Sequence, residues 1–544
     1  MSRARLPLVA GTVERAPARA LRRTAEADLA TGVLDHVVRH AKSASDRVAV
    51  VDGETQLTYR ALLCRIGELR EALAAQGVGA GDTVAVCGPR SADIPAAFLA
   101  LESLGASYLP VDPRWPHDRV RDVLGRSRAV RFLYDAREPG GEDAVRAALA
   151  EQVKVLELPA STGSGTPPPR TVADRSLEAR YTIFTSGTTG RPKGATVEHQ
   201  GMVNHLRAKI EDLSITADDV VAFTAPLVFD ISIWQMLCPL MAGGRLVVVR
   251  DETLRFPRRL VNALRSAGAT VVELVPTVVG WIVDETLRRG GEALPDLRCL
   301  ISTGEELRPA VAARTLDALP RTVLVNAYGP TECSDDVTHH TVTREDTSRP
   351  RLPVGAPIAN TSLYLLVDEG DAGWRAAEPG EIGELFVGGT GVGLGYLNDQ
   401  ETTDRAFFAD PFDPESATGR LYRTGDLARF ENGLVHYLGR SDRQVKVAGV
   451  RMELDEIEAV LSRLPAVRAC AVTVAGAGER SELVAHYALH SPAGSGELQE
   501  ILRASVPAAM VPRRWRQWED LPLTPNGKVD HRTLRAAVDR EGTS

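Results

Sequence analysis

No stretch of this 544-residue chain approaches the ~18 consecutive apolar residues of a transmembrane helix, which excludes a span of that kind. There is no basic excess either. Lys and Arg number 64 against 72 Asp and Glu, a net charge of −8, so the electrostatic footprint of a nucleic-acid binder is missing. Cysteine is sparse: the six lie far apart, at 64, 87, 238, 299, 333 and 470, with no CxxC pair. Only Cys333 has histidines close behind it, His339 and His340, too few ligands for a zinc site. Such cysteines read as reduced, mostly packed thiols of a cytoplasmic protein. Residues 1–30 carry arginines at 3, 5, 15, 19, 22 and 23 among alanines, a hint of a transit peptide. Glu14, Glu26 and Asp28 interrupt it and no apolar h-region or cleavage site follows, so a frayed, disordered polar leader is expected.

What is present is the balance of a soluble globular protein, 44% hydrophobic and 25% charged. At ~150 residues per domain the length suggests three or four folding units. From about residue 31, short β-rich runs alternate with helical periods. Residues 48–51 and 84–87 read as buried strands; 57–73 and 94–101 read as helices. That alternation predicts parallel sheets built from βαβ units. Residues 161–169, Ser-Thr-Gly-Ser-Gly-Thr-Pro-Pro-Pro, predict an exposed loop. Near residue 440 the composition shifts. Ile457, Val460, Leu461 and Leu464 fall at helical spacing before Pro465, 467–474 and 483–489 look like strands, and 498–502 like a second helix. The fold class predicted is α/β: a large N-terminal α/β body of several subdomains over 31–440, with a small hinged C-terminal α+β domain over 441–544.

The strongest local signal is Tyr181-Thr-Ile-Phe-Thr-Ser-Gly-Thr-Thr-Gly-Arg-Pro-Lys-Gly194, a strand running into a Ser/Thr/Gly-rich loop with one lysine. Residues 185–194 hold four hydroxyls, three glycines and Lys193. Glycines allow close backbone approach, and the amides and hydroxyls can donate to phosphate oxygens. It is not a Walker A loop: the spacing differs, no Ser/Thr follows the lysine, and Pro192 has no N–H to offer.

The run 184–194 resembles the phosphate loop of the adenylate-forming superfamily, and other blocks agree in order and spacing from about residue 34 to 535. Asn326-Ala-Tyr-Gly-Pro-Thr-Glu332 resembles its nucleotide motif and Tyr422-Arg-Thr-Gly-Asp426 its ribose motif. Gly439-Arg-Ser-Asp-Arg-Gln-Val-Lys446 resembles its hinge motif and Asn526-Gly-Lys528 its catalytic-lysine motif. Residues 57–59, 104–112 and 383–398 match further blocks. Within the superfamily the resemblance is closest to amino-acid adenylation domains of nonribosomal peptide synthetases.

That resemblance implies ATP-dependent adenylation: a carboxylate attacks the α-phosphate and pyrophosphate leaves, catalysed by positioning and charge neutralisation. It implies that Thr185, Ser186, Gly187, Thr188, Thr189, Gly190 and Lys193 serve the β- and γ-phosphates. Glu332 is suited to Mg²⁺, because hard cations prefer carboxylate oxygen; the plain alternative is a solvated helix cap, which its place at the close of an aromatic-Gly-Pro turn disfavours. Tyr328 would stack on adenine, Asp426 would bond the ribose hydroxyls, and Arg440 would touch ribose or phosphate. Gly304, Asn326, Gly329, Thr331 and Tyr437 complete the implied nucleotide set. Lys528 would swing into the site, the small domain turning at Asp442 to open a second site for thioester formation, faced by Lys446 and Gly449. One departure stands: Ala448 replaces a basic residue common in the Lys-x-Arg-Gly form of that block.

Asp230, in Phe229-Asp-Ile-Ser-Ile-Trp234, matches the aspartate that pairs with the substrate α-ammonium in amino-acid-activating members. The implied pocket is Asp230, Ile231, Trp234, Glu273, Ile301, Thr303, Ala327, Asp335, Asp336 and Lys528. Glu273 interrupts the apolar run Val271-Val-Glu-Leu-Val275, where an unpaired carboxylate would cost several kcal/mol. It must be protonated, matched by a substrate cation, or satisfied by an internal salt bridge. Clustered with Asp335 and Asp336 it suggests a second substrate ammonium. The bulk of Trp234 favours a short diamino acid such as 2,4-diaminobutyrate or 2,3-diaminopropionate, with ornithine, lysine and β-lysine open.

No HHxxxDG condensation signature occurs and no Gly-Gly-x-Ser carrier site follows Lys528. The expectation is a free-standing domain that loads a separate carrier protein. Residues 107–116 resemble a surface where MbtH-like helpers bind. An acyl- or aryl-CoA ligase is the alternative, which Asp230 argues against. A non-catalytic binding module is the other; it should have lost Lys528, Glu332 or Asp426.

Overall fold

In the computed structural model, residues 3–15, 29–137, 141–168, 176–185, 192–291, 293–413, 416–441, 444–447, 450–476, 481–490, 494–522 and 529–541 are described. Among them the chain builds three large sheets, a hairpin and a small sheet.

The first large sheet runs Ala356–Pro357, Thr338–Thr341, Val323–Tyr328, Cys299–Ser302, Val271–Leu274, Val220–Phe223, Arg245–Val248, Val48–Asp52, Thr55–Thr58. Its interior strands are parallel and its outer ones antiparallel. The second runs Gly395–Tyr396, Lys193–Glu198, Ala179–Thr185, Ser107–Val111, Thr83–Cys87, Arg131–Tyr134, Lys154–Glu157, parallel from Ala179–Thr185 onward. Parallel strands need helical crossovers, and those helices bury both sheet faces. Helices Val33–Ser43, Tyr59–Ala75, Asp93–Leu104, His199–Asp212 and Ile231–Ala242 fill the space between the two sheets in one continuous apolar core. The faces these helices turn to the core are closed to water, so a polar side chain on such a face must find its partner inside the protein.

The third sheet is antiparallel and stands on the strands Thr361–Asp368, Gly383–Gly389, Arg420–Glu431 and Leu434–Arg440. Beyond it the hairpin Gln444–Val447/Val450–Glu453 leads into helix Leu454–Ser462 and a sheet of Val467–Ala475, Glu482–Leu489 and Arg514–Gln517. Helices Ser495–Arg503 and His531–Glu541 pack with this sheet. No helix among the described residues is long and apolar enough to cross a membrane. All six cysteines are free thiols, four of them buried.

The leader departs from expectation. Ala4–Arg5 pairs in parallel with Phe407–Ala409, Leu6 is buried against Tyr364 and Phe386, and the Thr12 hydroxyl donates to the Trp374 carbonyl. The alternation through Leu6 and Leu8 carries this edge strand, and the arginines hid it. Residues 16–28 lie outside the described set. The loop 161–168 has no regular structure and is mostly exposed, but Gly165 is buried on helix Tyr59–Ala75. A Cβ there would stand 2.1 Å from the Cys64 carbonyl, so only glycine fits that approach.

Candidate active site

The carboxyl ends of the first sheet's strands deliver one wall of the site. Register places Glu273 beside Ile301 and Ser302 beside Asn326, with Thr303, Ala327 and Tyr328 just beyond. A cavity of about 580 Å³ opens there, lined by Gly304, Asn326, Ala327, Tyr328, Gly329, Asp426, Tyr437, Arg440, Lys446 and Arg451 among others. Asp426 anchors it. Its carboxylate accepts from the Tyr328 hydroxyl, and from Arg440 Nη1 at 2.8 Å. The Tyr328 and Tyr437 rings lie 5.9 Å apart, an aromatic wall of the size a planar base needs.

Glu332 sits in a single 3₁₀ turn, Thr331–Cys333, and is buried, not a solvated cap. Tyr396 donates its hydroxyl to Glu332 Oε1 at 2.8 Å, and Arg451 Nη1 donates to Oε2 at 2.8 Å. Burial opposes ionisation, but Arg451 and Lys193 hold the Glu332 carboxyl down to about 2. A carboxylate is the donor a Mg²⁺ ion takes, so the residue fits that ion chemically. In this arrangement, however, the arginine of the hairpin already holds one of its oxygens. Lys193 is likewise approached by the hairpin: its Nζ lies 3.8 Å from Glu453 Oε1 and 5.4 Å from the Tyr396 ring centre. Thr185 lines the same strand end. Ser186, Gly187, Thr188, Thr189, Gly190, Asp442, Gly449 and Lys528 lie outside the described residues.

Asp230 is the N-cap of helix Ile231–Ala242, accepting from the Ile231 amide at 3.0 Å. Desolvation raises its pKa, against the pull of the Thr331 hydroxyl and Lys446. The half-buried carboxylate sits at a helix N-terminus, where the helix dipole favours its ionised form. Trp234, one turn along, is fully buried.

The deeper carboxylates are where the structure corrects the sequence reading. Glu273 and Asp336 do not stand open to a substrate cation. Lys209, from helix His199–Asp212, donates to Glu273 Oε1 at 3.2 Å and to Asp336 Oδ2 at 2.6 Å. Its ammonium lies 4.6 Å from the Trp234 ring centre, and the Trp234 indole N–H donates to Glu273. Thr303 donates to Asp336 Oδ1 at 3.1 Å, and His339 approaches Asp336 at 3.7 Å while bonding Asp212 at 2.9 Å. Burial pushes Glu273 up. Asp336 is held well below the usual carboxylate range although desolvation opposes it, because Lys209 and His339 face it. The internal salt bridge weighed for Glu273 is therefore what the fold supplies.

Asp335 differs. It is buried, its Oδ2 accepts no hydrogen bond, and the nearest cationic candidate, His205 Nε2, stands 3.8 Å away and is also unbonded. Desolvation together with Asp336 and Asp230 raises its pKa well above normal, and burial lowers that of His205 to about 3. Ser334 and Asp335 both adopt left-handed backbone, φ 68° and 86°, strain of order 1–3 kcal/mol each that the surrounding turn must hold. Gly329 allows it, since a Cβ there would meet the Asp335 carbonyl at 1.9 Å.

The family model for AMP-binding enzymes matches residues 37–397, and that for the AMP-binding enzyme C-terminal domain matches 456–528. The chain belongs to the AMP-binding enzymes. Tyrocidine synthase 3 of Brevibacillus parabrevis is 33% identical over 516 residues, covering 94% of this chain and 8% of the synthase. Enterobactin synthase component F of Escherichia coli (strain K12) is 34% identical over 513 residues, covering 92% of this chain and 38% of that protein. The chain thus spans well under half of either relative. Among solved structures, holo-PA1221, an NRPS protein containing adenylation and PCP domains bound to a vinylsulfonamide inhibitor, matches with a TM-score of 0.81. It is 26% identical, with 94% of this chain and 85% of that one covered. Over that length this chain carries both parts of an AMP-binding enzyme, the AMP-binding body and the C-terminal domain.

Sequence reasoning missed Lys209, His205, Tyr396, Arg451 and Glu453. Lys209 carried a readable signal: Met202, Leu206 and Lys209 fall at i, i+4, i+7, so the lysine occupies an apolar-face position. The hairpin residues carried none, because their partners are distant in the chain.

Replacing Arg451 by Ala leaves Glu332 buried with only the Tyr396 hydroxyl and the distant Lys193. An expected loss of about 3–5 kcal/mol should appear in the urea midpoint, largely recovered in the Arg451→Ala/Glu332→Gln double variant. A loss that adds fully across the two sites would rule the pairing out. Glu332 also predicts an acid dependence. Its depressed folded pKa gives stability that is complete above the unfolded carboxyl value of ~4.3 and is lost as pH falls toward about 2. Glu332→Gln should flatten that part of the stability-versus-pH curve, and an unchanged slope would contradict it.

Proposed function

We propose that this enzyme adenylates a short amino acid and passes the aminoacyl group to the phosphopantetheine thiol of a separate carrier protein. The observation that carries the amino-acid reading is Asp230, a half-buried, desolvated carboxylate that caps the start of helix Ile231–Ala242 and lies within reach of the Thr331 hydroxyl and Lys446. An α-ammonium there would satisfy it, leaving the substrate carboxylate toward the cavity that would take ATP. A carboxylate oxygen then bonds to the α-phosphorus as the bond to the β-phosphate oxygen breaks and pyrophosphate departs. Lys193 and Lys528 would neutralise the charge that builds, and Asp426, Tyr328 and Arg440 would hold the nucleoside. Mg²⁺, taken by Glu332, would supply further neutralisation of the phosphates.

Within that reading a short diamino acid of the 2,3-diaminopropionate or 2,4-diaminobutyrate kind is favoured. Asp335, whose Oδ2 is buried without a donor, is the group suited to a side-chain ammonium, in place of Glu273. Ornithine, lysine and β-lysine fit less well, because Lys209 already occupies the deeper end. An MbtH-like helper would meet less surface than expected. Ser107–Val111 is a buried interior strand, so only residues 112–116 could touch it.

Pyrophosphate exchange across proteinogenic and diamino acids tests the reaction. Exchange is expected with a short amino acid, and absence of exchange with every member of the panel, helper supplied, would refute it. Product analysis with carrier protein against CoA separates the carrier-loading reading from a CoA ligase. Asp230→Asn should cost ~30-fold or more in kcat/KM for amino acids through loss of the ammonium's partner. Equal activity of the variant would remove Asp230 from that role.

A further inference from the structure

We propose that Lys209 sets the substrate specificity of this enzyme by acting as a built-in substitute for the ammonium end of a longer substrate. The inference rests on the amino-acid-adenylating reading above and names the residue that limits side-chain length.

Four observations converge. Lys209 is fully buried, so its cation is committed to the interior. Its partners Glu273, Asp336 and Trp234 are all residues that the family resemblance assigns to the substrate pocket, and all three are buried. The helix that carries it packs in the core between the two sheets, so the side chain reaches these residues from inside the protein. Finally, Asp230 and Trp234 lie on one helix four residues apart, ~6 Å along the axis. An amino acid anchored at Asp230 therefore meets the Lys209 ammonium after about one helical turn. The methylenes and ammonium of Lys209 fill the space that the end of ornithine or lysine would need, and the charge there is already cancelled. What remains is a short compartment whose free polar group is Asp335.

Truncating Lys209 to Ala should reverse this. The cavity would then hold two carboxylates and an aromatic face with no cation, the complement of a terminal ammonium. In pyrophosphate exchange the wild-type protein is expected to prefer 2,3-diaminopropionate, 2,4-diaminobutyrate or another short amino acid over ornithine and lysine. In Lys209→Ala the ratio of kcat/KM for ornithine or lysine to that for the short substrate should rise roughly 30-fold or more. Those longer amino acids, and not alanine, should raise its melting temperature. n-Butylammonium should partly restore the short-substrate activity. Should the alanine variant fail to fold, Lys209→Ala/Asp336→Asn, with one charge of each sign removed, carries the same expectation through Glu273.

A folded variant that keeps the wild-type order of substrates overturns the inference, as does failure of both variants to fold, which would assign Lys209 to structure alone. A wild type that favours lysine or ornithine overturns it too. Wild-type protein that exchanges pyrophosphate with no amino acid would instead refute the underlying function.

Discussion

The pocket depends on one arrangement: an ammonium, Lys209, with no access to water, held between two carboxylates and over an indole ring. Removing an ion from water costs several kcal/mol, and an ion pair repays that only with near-ideal geometry and with its remaining hydrogen bonds made. This requirement explains much around it. Glu273 must stand on a rigid interior strand. Asp336 must follow a turn that accepts left-handed backbone at Ser334 and Asp335, and Gly329 must lack a Cβ to let that turn close. Trp234 and Thr303 then complete the hydrogen bonds of the two carboxylates. Such a site is rigid because each member fixes the next.

A second arrangement governs the nucleotide end. The hairpin Gln444–Val447/Val450–Glu453 brings an arginine to Glu332 and a carboxylate toward Lys193. Each is opposite in sign to the group it meets. In this arrangement the chain itself therefore sets an opposite charge against each of these two side chains. Arg119 and Glu456, both buried and 2.9 Å apart, fasten helix Leu454–Ser462 against helix His117–Ser127 in the same arrangement.

Much of the fold was legible locally. The apolar runs at 48–51 and 84–87 fall inside observed strands, and the helical periods at 57–73 and 457–464 overlap helices Tyr59–Ala75 and Leu454–Ser462 but miss their ends. A buried parallel strand and an amphipathic helix each write their own period, while their ends are set by caps. The amino-terminal edge strand was not legible, since two residues of pairing leave no period and the arginines dominate the composition. Nor was the interior course of Ser107–Val111, which the sequence had offered as surface; its neighbours in the sheet come from residues 83–87 and 179–185.

The sequence by itself determined the reaction class. The phosphate loop, the nucleotide and ribose motifs and Asp230 are short segments, each ambiguous alone, whose order and spacing together carry the resemblance. It also showed that Glu273 needed a proton, a substrate cation or an internal partner. Only the tertiary structure decided which one. Lys209 and Glu273 are 64 positions apart, and Lys209 and Asp336 are 127 apart. A pairing between a core helix and the end of a sheet has no signature in either segment, because the partner is set by how the two sheets close on the helices between them.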